Sequence, residues 1–331
     1  MILPISDPPI IGYQHYAYRM SVLGAHPDFL NWLYCNYIQL VWIREPKGFP
    51  RLDFYEFQKI DPFMNELYVH KSTITPYVSL LTFIKDRLDE GRYVITFVNE
   101  YYLPERAQYL KKHNVHDIMI YGYQDDEEMF VTAGFNQDAM YSTSKFSYAC
   151  MEKALLDMDQ AGKFLKEWSD GIHLLCLFEG RTFSLDISVI AEQLEEYLHA
   201  VNSSSRFRMF SPKLEQPFGM AIYDELVNYL QHIDIADIDV RMFHILYEHK
   251  KLMYERLVYL QEHAGVHLNP TDLESCKNIL ERALALRNLC IRLMMLNEGQ
   301  LIERMVALVR KIEDAERQTL PAVLQALQVT Q

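Results

Sequence analysis

Apolar residues recur at spacings of three and four in several stretches of the chain. Val78, Leu81, Ile84 and Leu88 predict an amphipathic helix, with Thr75 as N-cap, Pro76 at its first position and Gly91 at C′. A continuous β-branched and aromatic run, Tyr93 to Val98, follows and predicts a buried strand. Ile118 to Tyr123 and Met129 to Phe135 predict two more strands, joined as a hairpin by the acidic turn Gln124 to Glu128. Ile172 to Phe178 reads as a strand preceding a helix around Ile190, Leu194, Tyr197 and Leu198, and Asp28 to Ile43 reads as the N-terminal helix. Further on, Leu246, Met253, Leu257 and Leu260 place a helix over Met242 to His263. Thr271-Asp272-Leu273-Glu274 has the form of a capping box opening another, and Gly299 separates a last helix carrying Leu301, Met305, Leu308 and Ile312.

The aromatic residues divide the chain. Of 42, only eight lie after Met209, and glycine thins out there too. A mixed α+β body followed by helices is therefore expected, with the boundary at Asn202-Ser203-Ser204-Ser205 ahead of Pro212 and Pro217, giving domains 1–205 and 206–331. The 331 residues carry 32 basic and 45 acidic side chains, a formal charge of −13. Such a chain is not expected to bind nucleic acid, which needs basic clusters to neutralise phosphates. The start lacks a basic segment of signal-peptide type, and the longest apolar stretch, Leu33 to Ile43, is too short to span a bilayer, so a cytoplasmic protein without membrane partners is expected. Five scattered cysteines without CxxC spacing point to a reducing compartment.

No GxGxxG, GxxxxGK[ST], GxSxG or HExxH occurs. His113 and His116 have H-x-x-H spacing, but no third ligand lies nearby, so neither a metal nor another cofactor is expected. The informative stretch is Gly91 to Phe135, where His116 stands at the mouth of a strand whose hairpin partner returns beside it. An imidazole so placed can be fixed by a neighbour and completed by a distant thiol or hydroxyl. Val-Asn-Glu-Tyr-Tyr-Leu-Pro (98–104), His-Asp-Ile-Met-Ile-Tyr-Gly-Tyr (116–123), the opening Gly12-Tyr13-Gln14-His15-Tyr16 and Phe183-Ser-Leu-Asp-Ile187 resemble the family named for the N-terminal domain of butirosin biosynthesis protein H. The resemblance implies an α+β, papain-like body with an all-helical C-terminal region. It further implies acyl or peptidyl transfer or release from a carrier-protein thioester in specialised-metabolite biosynthesis, with His116 as general base.

Two positions depart from that family. Tyr16 stands where it has its nucleophilic cysteine, and Thr132-Ala133-Gly134 where it has an orienting aspartate, leaving Asn136 or Asp117 to hold the imidazole. A phenol does not replace a thiolate at neutral pH. Cys35 is the only N-terminal cysteine but is expected inside a helix, as a core thiol; Ser21 has no local support. One expectation is thus an enzyme working through His116 with Cys35 or by direct aminolysis. The other is an inactive homologue that binds or scaffolds. Tyr16, Glu100, Tyr101, Tyr102 and Asn136 are the candidate substrate-lining residues, although the two tyrosines after Glu100 would equally cover the sheet while Glu100 pairs with Arg106. An acyl or peptidyl carrier protein is acidic, so docking on this acidic chain needs a local basic patch, either Arg106, Lys111 and Lys112 or Arg206, Arg208 and Lys213. Arg241, His244, His249, Lys250, Lys251 and Arg256 on the first long C-terminal helix read as a solvated face. The apolar stripes of the C-terminal helices also suit a homodimer.

Overall fold

The computed structural model describes residues 1–44, 50–55, 62–158, 169–178, 180–206 and 215–330. These residues form a mixed α+β protein whose chain divides into two compact units, Met1–Phe29 with Ile60–Thr182, and Leu30–Lys59 with Phe183–Gln331. The linear boundary expected after Ser205 falls inside the second unit. There Ser203 and Ser204 are buried, and Ser203 Oγ donates to Glu196 at 2.7 Å while accepting from Gln39 at 2.8 Å. Pro212, Arg208 and Lys213 lie outside the described residues.

The first unit is built on a six-stranded antiparallel sheet in the order β3-β8-β4-β5-β6-β7, with β3 at Met64–His70, β4 at Tyr93–Asn99, β5 at Val115–Gln124, β6 at Met129–Phe135, β7 at Tyr141–Ser147 and β8 at Gly171–Leu177. Helix α1 (Gln14–Leu23) packs on β6 and β8. The short α3 (Lys71–Ile74), α4 (Leu80–Asp89) and α5 (Tyr148–Leu156) share a core with the sheet, in which Ile84, Leu88, Met151 and Leu155 meet Val94, Val98, Ile118, Ile120 and Ile172. β4 and β5 lie at the centre of the sheet; β4 and the stretch 118–122 of β5 are almost continuously buried, which is why they read as unbroken apolar runs.

The end of α4 follows the sequence pattern. Gly91 sits at φ +77°, and the Gly91 and Arg92 amides bond to Leu88 and Arg87, a C-terminal motif that needs a left-handed residue. Its start does not follow. Thr75 closes α3 instead, and Ser79, whose oxygen accepts the Thr82 amide at 3.1 Å, caps α4.

The second unit contains α2, whose seven residues Phe29–Cys35 begin at the boundary, and an antiparallel pair of β1 (Leu40–Ile43) and β2 (Arg51–Phe54). The single helix expected from Asp28 to Ile43 is therefore corrected. Tyr37 turns the chain at φ +58°, and the β-branched and aromatic run Val41-Trp42-Ile43 pairs as a strand. Among the described residues five further α-helices belong to this unit: α6 (Ile187–Leu198), α7 (Ile222–His232), α8 (Val240–His263), α9 (Pro270–Leu296) and α10 (Gln300–Val329). Neighbours α8, α9 and α10 pack in succession, and α10 also packs on α6 and α7. The cap of α9 is Asn269, which accepts the Thr271 amide at 3.0 Å ahead of Pro270, so Thr271 is the second residue of the helix rather than its cap.

Of the basic cluster of α8, Arg241 is exposed and His244 and Lys251 are partly so, but the other three are not a solvated face. His249, Lys250 and Arg256 are fully buried. Lys250 Nζ lies 2.7 Å from the Glu316 carboxylate, which also accepts the hydroxyls of Tyr197 at 2.7 Å and Tyr223 at 2.5 Å. Arg256 donates to the carbonyls of Tyr34 and Asn36, and His249 contacts that of Ile38 at 2.8 Å. Lys250→Met alone leaves Glu316 buried without its cation and is expected to cost about 3–5 kcal/mol in urea unfolding; adding Glu316→Leu, Tyr197→Phe and Tyr223→Phe, which removes the carboxylate together with the hydroxyls it accepts, is expected to recover most of it.

Candidate functional site

Within the first unit, β5 begins one residue before His116. Its pairing with β4 sets Val98 opposite His116 and Phe97 opposite Asp117. The first residue of α1, Gln14, reaches this strand end. Its Nε2 donates to the Asp117 carbonyl at 2.7 Å and carboxylate at 3.1 Å, lies 3.3 Å from His116 Nδ1, and touches the hydroxyl of Tyr18 one turn on. Tyr18, fully buried, donates to the same Asp117 carbonyl at 3.0 Å. The Asp117 carboxylate lies 2.9 Å from His116 Nδ1. A carboxylate accepts only, so we assign the proton to Nδ1, which leaves the lone pair of the neutral ring on Nε2. No partner occupies Nε2 among the described residues, and the His116 side chain is 46% exposed.

Partial desolvation lowers the pKa of His116. The hydrogen bond and charge of Asp117 and the charge of Glu100 outweigh it, and the net shift is upward. This is the arrangement of an oriented base: one ring nitrogen fixed by a carboxylate, the other presented outward. Of the two orienting candidates, Asp117 has this position. Asn136 is spent on its own turn, its Oδ1 accepting the amides of Asp138 at 2.9 Å and Met140 at 3.0 Å.

The other candidates are placed as follows. Tyr16 is buried at 4% exposure against His15, with ring centroids 4.3 Å apart, and belongs to the core. The strand ends at Asn99, and Glu100, Tyr101 and Tyr102 form a 3₁₀ turn capped by the Asn99 side chain. Glu100 accepts from Asn114 at 2.7 Å rather than pairing with Arg106. Tyr101 stacks on His113, and Tyr102 donates its hydroxyl to the Asp157 carboxylate.

Arg106 is corrected as a docking cation. It is 4% exposed, donates to the Phe135 carbonyl, and lies over Gly134, where a Cβ would come within 2.8 Å of two guanidinium nitrogens. Its Nη2 is buried without a hydrogen-bond partner among the described residues. Lys111 and Lys112 are exposed. Arg206, from the second set, is bound to Glu196 at 2.6 Å.

Cys35 belongs to the other unit and ends α2 rather than lying within a long helix. It is 1% exposed, its sulfur accepts the Asp186 amide at 3.2 Å, and burial raises its pKa. That is the environment of an inert core thiol, not of an activated one. Ser21 is fully buried and shares a hydrogen bond with Tyr141 at 3.2 Å. Among the described residues there is no group of three or more metal-binding side chains, and no helix is long and apolar enough to cross a membrane. No family model and no curated protein matches the chain.

Because the folded pKa of His116 lies above that of the unfolded chain, its protonation stabilises the fold. That contribution is fully present below pH ~6.5 and is lost as pH rises through the folded pKa. The stability difference between the native chain and His116→Ala is expected to shrink from pH 5.5 to pH 8 in denaturant titrations; growth over that range would contradict the assigned Asp117 pairing.

Proposed function

We propose that the chain has a papain-like body and transfers or releases an acyl or peptidyl group held as a carrier-protein thioester in a specialised-metabolite pathway, by direct attack rather than through an acyl-enzyme. The observation that carries this reading is the exposed Nε2 of an imidazole whose Nδ1 is held by Asp117. In the proposed step the acceptor amine adds to the thioester carbon while Nε2 takes its proton. The C–S bond then breaks, and the imidazolium returns the proton to the departing thiolate. No thiol needs to be activated, which agrees with the burial of Cys35 and with the positions of the first unit's own cysteines. Cys150 packs at the core, and the sulfur of Cys176 accepts from Arg92 at 3.6 Å. The exposed Lys111 and Lys112, a few residues before His116, would offer an acidic carrier its basic contact on a chain of net charge −13.

A second reading, a catalytically inactive homologue that binds or scaffolds within such a pathway, is favoured by the Gln14 amide. It fills the space beside His116 Nδ1 at the start of α1, where a nucleophile is absent.

Intact-mass analysis with acyl-loaded carrier proteins separates the readings. Direct transfer predicts turnover without adduct, lowered about 10²–10⁴-fold by His116→Ala. The rate should rise with pH through the raised His116 pKa, and Asp117→Asn should move that rise to lower pH. An adduct abolished by Cys35→Ala would overturn direct attack, and carrier binding without turnover would establish the second reading. Reversing charge at Lys111 and Lys112 is expected to weaken carrier binding several-fold at low salt and to have little effect at high salt.

A further inference from the structure

Within the first unit, a cavity of about 610 Å³ opens between α3, the start of α4, the end of α5 and the residues before β8. Its lining includes apolar Leu80, Leu155, Leu156 and Met158 and polar His70, Lys71 and Asp170. Lys71 is 5% exposed, and its Nζ donates to the Phe97 carbonyl at 2.6 Å. Phe97 is one residue past Thr96↔Ile172, where the β4–β8 ladder ends, so the amine supplies a donor where the neighbouring strand has stopped. Asp170 is occupied elsewhere. It accepts the Ser72 hydroxyl at 2.6 Å and amide at 3.1 Å, and lies 3.3 Å from His70 Nδ1. No carboxylate lies within ion-pair distance of Lys71 Nζ among the described residues.

Burial favours the uncharged form of an amine. Burial brings Lys71 down to about 7, with the more distant Asp170 charge opposing. At pH 7 the neutral fraction is then roughly 10³-fold that of an exposed lysine. A neutral amine offers no charge to hold an anion. It keeps its lone pair while one N–H bonds to Phe97, and that lone pair is a nucleophile.

We propose that this cavity is a carbonyl-binding site in which the Lys71 amine forms a reversible imine with an aldehyde or ketone bearing an apolar tail. The nitrogen lone pair adds to the carbonyl carbon, and the oxygen takes up the proton that nitrogen releases. The carbinolamine hydroxyl then leaves as water with a proton taken from solvent, and the remaining N–H proton passes to solvent as the C=N bond forms. The tail lies on Leu156 and Met158. This assignment is independent of the reading of His116 and goes beyond it.

The test is octanal with sodium cyanoborohydride on the intact protein at pH 7, followed by peptide mapping. Lys71 is expected to carry the reduced adduct more than ~10-fold ahead of the exposed Lys111 and Lys112, and Lys71→Arg should remove it. Labelling of Lys71 at parity with those lysines, or not at all, overturns the proposal, as does equal labelling by glyoxylate, which has no tail. The mapping on the native sequence decides the matter even if the Lys71→Arg protein does not fold.

Discussion

Two opposite charges sealed from water, Lys250 and Glu316, set the terms for the helical unit. Each costs several kcal/mol to desolvate, so each is tolerable only with the other in place. Glu316 on α10 therefore holds α8 through Lys250, α6 through Tyr197 and α7 through Tyr223 at one point. Apolar stripes alone would let long helices slide by a turn. A carboxylate with three donors has one arrangement that leaves nothing unpaired, so the register of four helices follows from it. Burial accordingly lowers the pKa of Lys250, and the paired Glu316 acts against that.

The sheet unit uses charge differently. Asp117 serves two neighbours with two parts of itself: its carbonyl takes Gln14 and Tyr18, and its carboxylate takes the imidazole. The backbone contacts fix where the strand ends, and the carboxylate fixes which ring nitrogen faces out. The orientation of this imidazole depends on one residue next door in sequence rather than on a partner strand. That is why Thr132-Ala133-Gly134 on β6 can lack an acid without leaving His116 unoriented. At Gly134 itself a side chain would meet Arg106, whose two terminal nitrogens lie 2.8 Å from where its Cβ would stand.

Sequence patterns were informative where the physics is local. The C-terminal motif at Gly91, the Gln124–Glu128 turn, the central runs of β4 and β5 and the break at Gly299 each depend on a few adjacent residues, and each is where the pattern puts it. Helix starts were harder. Thr75-Pro76 and Thr271 have the right composition, yet Ser79 and Asn269 offer better-placed oxygens nearby. His116 was legible as a candidate, but Gln14, 102 positions away, had no local signal to single it out. The same holds for Lys250, whose neighbours His249 and Lys251 suggest an exposed basic face until Glu316 is seen opposite. Sequence distance hides such partners because only the folded topology brings them together.

The discontinuous division of the chain bears on its synthesis. Residues 30–59 emerge from the ribosome early, yet β2 packs on α8, which starts at Val240. Meanwhile 60–182 emerge and can complete the antiparallel sheet, leaving the early hairpin and its Trp42 waiting for helices not yet made. Long-range closure of that kind is slow and leaves apolar surface uncovered in the interval. A nascent chain arrested near residue 185 would thus present a finished sheet domain beside an orphaned, sticky segment, the form a chaperone has most reason to hold.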